Sequence, residues 1–132
     1  MDSIKKLISK IVESIFDNEF IYHGTSKGAA MSIQRDGYMK SGNTGEQKPS
    51  ISFTKNFNYA KHFAQSKGGK DKMIILRTPL SDKFILSPRI SNNVDYEYVT
   101  FNPIWTNDLE VLSKDGNWKP LETWNVIFDE PL

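Results

Sequence analysis

Two short stretches carry side chains that could do chemistry. Residues 21–25, IYHGT, set one of only two histidines beside a glycine at the end of an apolar run, and residues 94–101, VDYEYVTF, carry Glu97. An imidazole can accept, donate or transfer a proton near neutral pH, and a carboxylate can take one up. Alone, each is weak evidence. A lone histidine is more often a surface or hydrogen-bonded residue, and an outward carboxylate is commonplace on an exposed strand. His62 is too isolated to make a metal site with His23, no Ser/His/Asp triad can be assigned, and the glycines form no phosphate-loop or dinucleotide fingerprint. The chain has no cysteine, which excludes disulfides, thiolate ligands and cysteine nucleophiles and suits a reducing compartment.

Both residues need elements to hold them. Residues 19–24 read as a short strand, followed by a helix over 27–35 with Ser26 as its cap and Gly37 at its left-handed end. Residues 39–50, rich in Gly, Ser, Asn and Lys, read as an exposed loop. A strand over 50–54 leads into a helix over 57–66, then a turn over 66–72 bearing Lys67, Lys70 and Lys72, which is either solvated or in contact with phosphates. The continuous apolar run 73–78 predicts a buried strand, with another at 83–86 and an irregular segment to 95. Strands are expected at 97–101, 108–113 and 125–128, with a hairpin turn at 114–117, where Gly116 tolerates a positive φ. Trp105, Trp118 and Trp124 are expected to pack within these C-terminal strands.

At the N-terminus, Ile4, Leu7, Ile8, Ile11, Val12, Ile15 and Phe16 recur at helical spacing, and Asp2 or Ser3 can cap the first turn. This predicts an amphipathic helix over 1–17 packed on a core of 18–132, a membrane-surface or partner-binding helix being the alternative. Ser9, Lys10, Glu13 and Ser14 interrupt its apolar face, so a signal-peptide core or membrane span is not expected there, and a cytoplasmic location is. The 132 residues fit one α+β domain with helices early and antiparallel strands late, expected to be monomeric. Net charge is +1, with 38% apolar and 25% charged residues, so nothing global points to nucleic acid or membrane.

Three segments in order alter the weight of the two lone residues. YHGTSKGAAMSIQRDG at 22–37, SISFTKNFNYAKHFA at 50–64 and DYEYV at 95–99 together resemble the ADP-ribosyltransferase fold, closest to its diphtheria-toxin and poly-ADP-ribose-polymerase branch. The matching residues are Tyr22, His23, Gly24 and Thr25, then Ile33 and Gly37, then Phe53, Thr54, Ala60 and Phe63, then Glu97 and Tyr98. The likeness spans roughly residues 20–100 and implies a small, mostly antiparallel split sheet with short helices. It also implies NAD as a substrate, without a metal.

In that family the nicotinamide–ribose bond breaks with positive charge developing on the ribose, which a carboxylate stabilises, as in glycoside hydrolysis. The resemblance assigns that role to Glu97, with a second use in orienting or deprotonating the acceptor. It assigns His23 to a ribose hydroxyl of the adenosine half and the Gly24 backbone to the nicotinamide carboxamide, a side chain there obstructing the ring. Tyr22, Thr25, Phe53 and Thr54 complete the NAD-binding set, and Phe63 takes the place of the family's stacking tyrosine, with Tyr59 or His62 as alternatives. Ser52 stands where that branch has a second aromatic, so the ring sandwich is expected to be one-sided.

The fold's other large branch has an Arg, a Ser-x-Ser/Thr strand and two acids two residues apart. This chain has His23 instead of the Arg, yet offers Ser52-Phe53-Thr54 and Asp95-Tyr96-Glu97, leaving Asp95 either an acceptor-side acid or a loop residue. The implied activity is mono-ADP-ribosyl transfer to a macromolecular acceptor, protein rather than nucleic acid, in a toxin, a phage effector or a housekeeping enzyme. A non-catalytic module of the same fold is the competing expectation. NAD hydrolysis and transfer of an RNA 2′-phosphate, which would need basic residues such as Arg35, Arg77 and Arg89 at the pocket, are further ones.

Overall fold

In the computed structural model, residues 19–40, 50–69, 72–86 and 97–125 are described. The expected helix at 1–17, Lys70, Arg89, Asp95 and all but the first residue of the strand expected at 125–128 lie outside them.

Strand β1 (Phe20–Ser26) runs straight into helix α1 (Lys27–Asp36). Ser26 caps that helix, its hydroxyl accepting from the Ala29 N–H. Gly37 closes it at φ 86°, with its own N–H donating to the Ile33 carbonyl. Next come β2 (Tyr38–Met39), β3 (Ile51–Thr54) and helix α2 (Phe57–Gly68). Asn56 caps α2 by accepting from the Tyr59 N–H. Then follow β4 (Met73–Pro79), β5 (Ile85–Leu86), β6 (Glu97–Thr100), β7 (Ile104–Trp105), β8 (Glu110–Leu112) and β9 (Trp118–Pro120), with single 3₁₀ turns at Thr106–Asp108 and Leu121–Thr123.

The fold is α+β. Seven strands form one sheet in the order β5-β6-β3-β1-β4-β8-β9, every pairing antiparallel, and β2 pairs separately with β7. β4 is central because its run Met73–Leu76 is apolar on both faces, and all four residues are buried. One face carries Ile21, Phe53, Ile74, Leu76 and Val111 against Phe84, Ile104, Leu109, Leu121 and Trp124. The other carries Ile75 and Leu112 against Ala60 and Ala64 of α2, with Tyr22, Phe57 and Trp118 at its margin. Gln34 of α1 donates to the carbonyls of Leu121 and Trp124, tying the C-terminal segment to that helix.

Several element expectations are revised. α2 continues two residues past Ser66, through Gly68, and ends at Gly69, whose φ of 72° only glycine adopts readily. Of 83–86 only Ile85–Leu86 pairs, with Phe84 turned into the core. Of 108–113 only Glu110–Leu112 is strand, and the two-residue pair β2 and β7 was not expected, whereas β9 is the second arm of the expected hairpin. Only Trp118 sits in the main sheet: Trp124 is buried after the second 3₁₀ turn, and Trp105 is 58% exposed in β7, stacked edge-on to Tyr38. The hairpin at 114–117 joins β8 to β9, with Gly116 at φ 87°. No helix among the described residues is long and apolar enough to cross a membrane.

Candidate functional site

The site begins where two strands part. β1 and β3 share a single register pair, Tyr22 with Thr54, whereas β1 and β4 pair along all seven residues and β3 and β6 along four. Beyond Tyr22 the edge of β1 is therefore unpaired with β3, and the sheet opens there. A cavity of about 1110 Å³ occupies the opening, slightly larger than the usual range for ligand pockets.

His23 stands at the opening and bridges it with its side chain. Its Nδ1 lies 2.7 Å from the carbonyl oxygen of Ser52, so the ring reaches the β3 backbone that the β1 backbone leaves unpaired. A carbonyl only accepts, which assigns the proton to Nδ1 and leaves Nε2 as an acceptor. The ring packs on Phe53 at 5.3 Å between centroids, and Phe53 packs edge-on against Phe84 at 5.4 Å. Burial is the main cause that lowers the His23 pKa from 6.5 to about 4; the Ser52 carbonyl opposes it, and the Lys67 charge adds to it. At neutral pH the ring is uncharged: a fixed acceptor for a hydroxyl, not a cation.

Glu97 opens β6 and is register-paired with Thr54, which is itself paired with Tyr22. Residues opposite one another in an antiparallel pair share a face, so one row runs across the sheet from β1 through β3 to the carboxylate. Glu97 is half-buried and lines the cavity, and no hydrogen bond or ion pair engages it among the described residues.

α2 supplies the third wall. Tyr59 and Phe63, one helical turn apart, lie 5.3 Å apart between ring centroids, are 42% and 43% exposed, and line the cavity. His62, one position away, is exposed and outside the lining, so of the three candidate rings it is the one displaced.

Every member of the expected NAD-binding set lines this cavity, and several are also packed into the fold. The ring of Tyr22 is engaged with Phe57 at 5.6 Å and Trp118 at 5.9 Å, and Phe53 is a buried prop behind His23. Thr25 is buried and paired with Ile74. Gly24 is also constrained by packing. A Cβ there would stand 2.0 Å from the Ala60 carbonyl oxygen and 2.7 Å from the Ala64 nitrogen, so what it would strike is the backbone of α2. Gly24 is glycine because the helix crosses directly over it.

Sequence reasoning missed the wall made by α1 and β2. Ala29, Ser32, Ile33 and Asp36 line the cavity, with Tyr38 and Lys40 beyond. The first four recur at i, i+3, i+4 and i+7, one helical face, which was the available signal. Of the basic cluster in the 66–72 segment, Lys67 lines the cavity while Lys72 is exposed away from it. Arg35 pairs with Asp36 and Arg77 with Glu110, and neither lines the cavity. No group of three metal-ligating side chains occurs among the described residues. No family model matches the chain, and no curated protein or solved structure is significantly similar to it.

Proposed function

We propose that the chain transfers ADP-ribose from NAD to a macromolecular acceptor and releases nicotinamide. One observation carries this reading: His23, the Tyr59–Phe63 pair and Glu97, drawn from three separate segments, line a single cavity where the sheet opens. A neutral imidazole suits a ribose hydroxyl, exposed rings suit a planar pyridinium, and an unpaired carboxylate suits the charge that forms as the glycosidic bond breaks. In the reaction, the bonding electrons of C1′–N leave with nicotinamide. An acceptor O–H or N–H group then bonds to C1′ and loses its proton, with Glu97 placed to orient it. A protein acceptor is favoured over nucleic acid, since neither Arg35 nor Arg77 lines the cavity.

Ser52 favours a second reading. It lines the cavity where an aromatic would complete a ring sandwich, which suits a module that binds NAD or ADP-ribose without cleaving it. Nicotinamide release from NAD, measured beside calorimetric binding, separates the two. The wild type is expected to release nicotinamide, and Glu97→Gln to bind NAD within a few-fold of wild type while releasing it roughly 10²–10³-fold more slowly. Unchanged release by that variant would remove Glu97 from the chemistry, and binding without release by the wild type would establish the module.

A further inference from the structure

The cavity is lined by four charged side chains among the described residues, Asp36, Lys40, Lys67 and Glu97, and α2 relates two of opposite sign. The N-terminal end of α2 is fixed by Phe57, whose ring meets Tyr22 in the Tyr22–Thr54–Glu97 row. The C-terminal end is fixed by Gly68, where a Cβ would lie 3.4 Å from the Ser26 Cβ at the end of β1. Ten residues of helix between Phe57 and Lys67 span about 15 Å, which puts Lys67 at the end of α2 away from the Tyr22–Thr54–Glu97 row, with Tyr59 and Phe63 between the two helix ends. Among the described residues no carboxylate pairs with Lys67; its ammonium lies 5.8 Å from the Phe63 ring centroid, on the cavity side. Lys67 and His23 both line the cavity, and the lysine charge acts on the His23 ring.

Resting on the reading of the cavity as an NAD site, we infer that Lys67 is its phosphate-contacting residue and sets a preference for diphosphate-bearing over phosphate-free nicotinamide ligands. A ligand that is cationic at the Glu97 end, planar along α2 and anionic at the Lys67 end matches the order of side chains along this wall. A last-turn lysine also complements the helix C-terminus, so the test has to separate binding from stability.

Calorimetric titration of the full chain with NAD and with nicotinamide riboside, at about 50 and 200 mM salt, does so. Lys67→Gln is expected to weaken NAD binding about tenfold and flatten its salt dependence, while nicotinamide riboside binds as to wild type. Lys67→Arg is expected to restore most of the affinity, and Lys72→Gln, which removes a nearby charge outside the lining, to bind NAD normally. Undiminished NAD binding by Lys67→Gln overturns the inference and leaves the NAD reading standing. Equal losses for both ligands, or an equal loss in Lys72→Gln, also overturn it, as a structural or a diffuse charge effect. A wild type that binds neither ligand overturns the inference and the NAD reading together.

Discussion

His23 keeps its proton on Nδ1 because the atom it meets there, the Ser52 carbonyl oxygen, can accept but cannot donate. Burial then works against a second proton and lowers the pKa from 6.5 to about 4. The consequence for stability has a definite sign. The unfolded chain takes up the proton near pH 6.5 and the folded chain only near 4, so this contribution is complete above pH 6.5 and is lost as pH falls toward 4. Between pH 7 and 5 the loss is about 2 kcal/mol at most, reduced by whatever water reaches the half-buried ring. Urea unfolding at the two pH values should show His23→Gln losing less stability than wild type by up to that amount. Parallel losses would mean that the ring titrates normally in the fold. Asp115 stays outside this window: the Ser113 hydroxyl, then the Asn117 N–H, hold its pKa at about 2.

At the scale of elements, Gly24 decides where α2 lies. Ala60 and Ala64 give that helix a shallow face, and Gly24 gives β1 none, so the two backbones come within contact distance. Gly24→Ala drives a methyl into helix backbone, which cannot rotate away, and should destabilise by about 2 kcal/mol or more. It should also weaken NAD binding, because Tyr59 and Phe63 ride on the displaced helix. Gly28 is the control: nothing lies within 4 Å of its added Cβ, so Gly28→Ala in α1 should be neutral or stabilise by up to about 1 kcal/mol. Thermal unfolding of the two variants checks both, and equal stabilities would refute the packing account. Gly24 also marks how far the sequence was legible. Its place at the site was readable, but its reason depends on which helix crosses the strand, a tertiary fact. β1, α1, β3, α2 and β4 were readable because caps, apolar runs and left-handed glycines agree locally. β2 and β7 were not: two-residue strands exist only through each other, Tyr38 against Trp105 and Met39 against Ile104. Lys67 was left between solvent and ligand because only the two further helical residues, Lys67 and Gly68, place it beside the cavity.

At the scale of the described fold, the seven-stranded sheet has two unequal parts, β5-β6-β3 and β1-β4-β8-β9, joined by one register pair and braced by His23 and α2. Glu97 belongs to the first part, and His23 and Gly24 to the second. A ligand filling the opening would touch both and tie them together, which a ligand lying on one part would not. Binding that favours the folded state raises its stability by RT ln(1 + [L]/Kd), about 2.7 kcal/mol at a hundredfold excess over Kd. NAD at that excess should raise the unfolding midpoint by several degrees. Amide exchange should slow together in β3, β6, β1 and α2, since opening of the seam is the local fluctuation that the ligand suppresses. Glu97→Gln should show the same protection in full, because the carboxylate is assigned to the charge that appears during bond breaking and not to holding the ground state. Protection confined to β1 and α2 would place the ligand on one part of the sheet only, and Glu97 would then stand too far from the reacting bond to serve it.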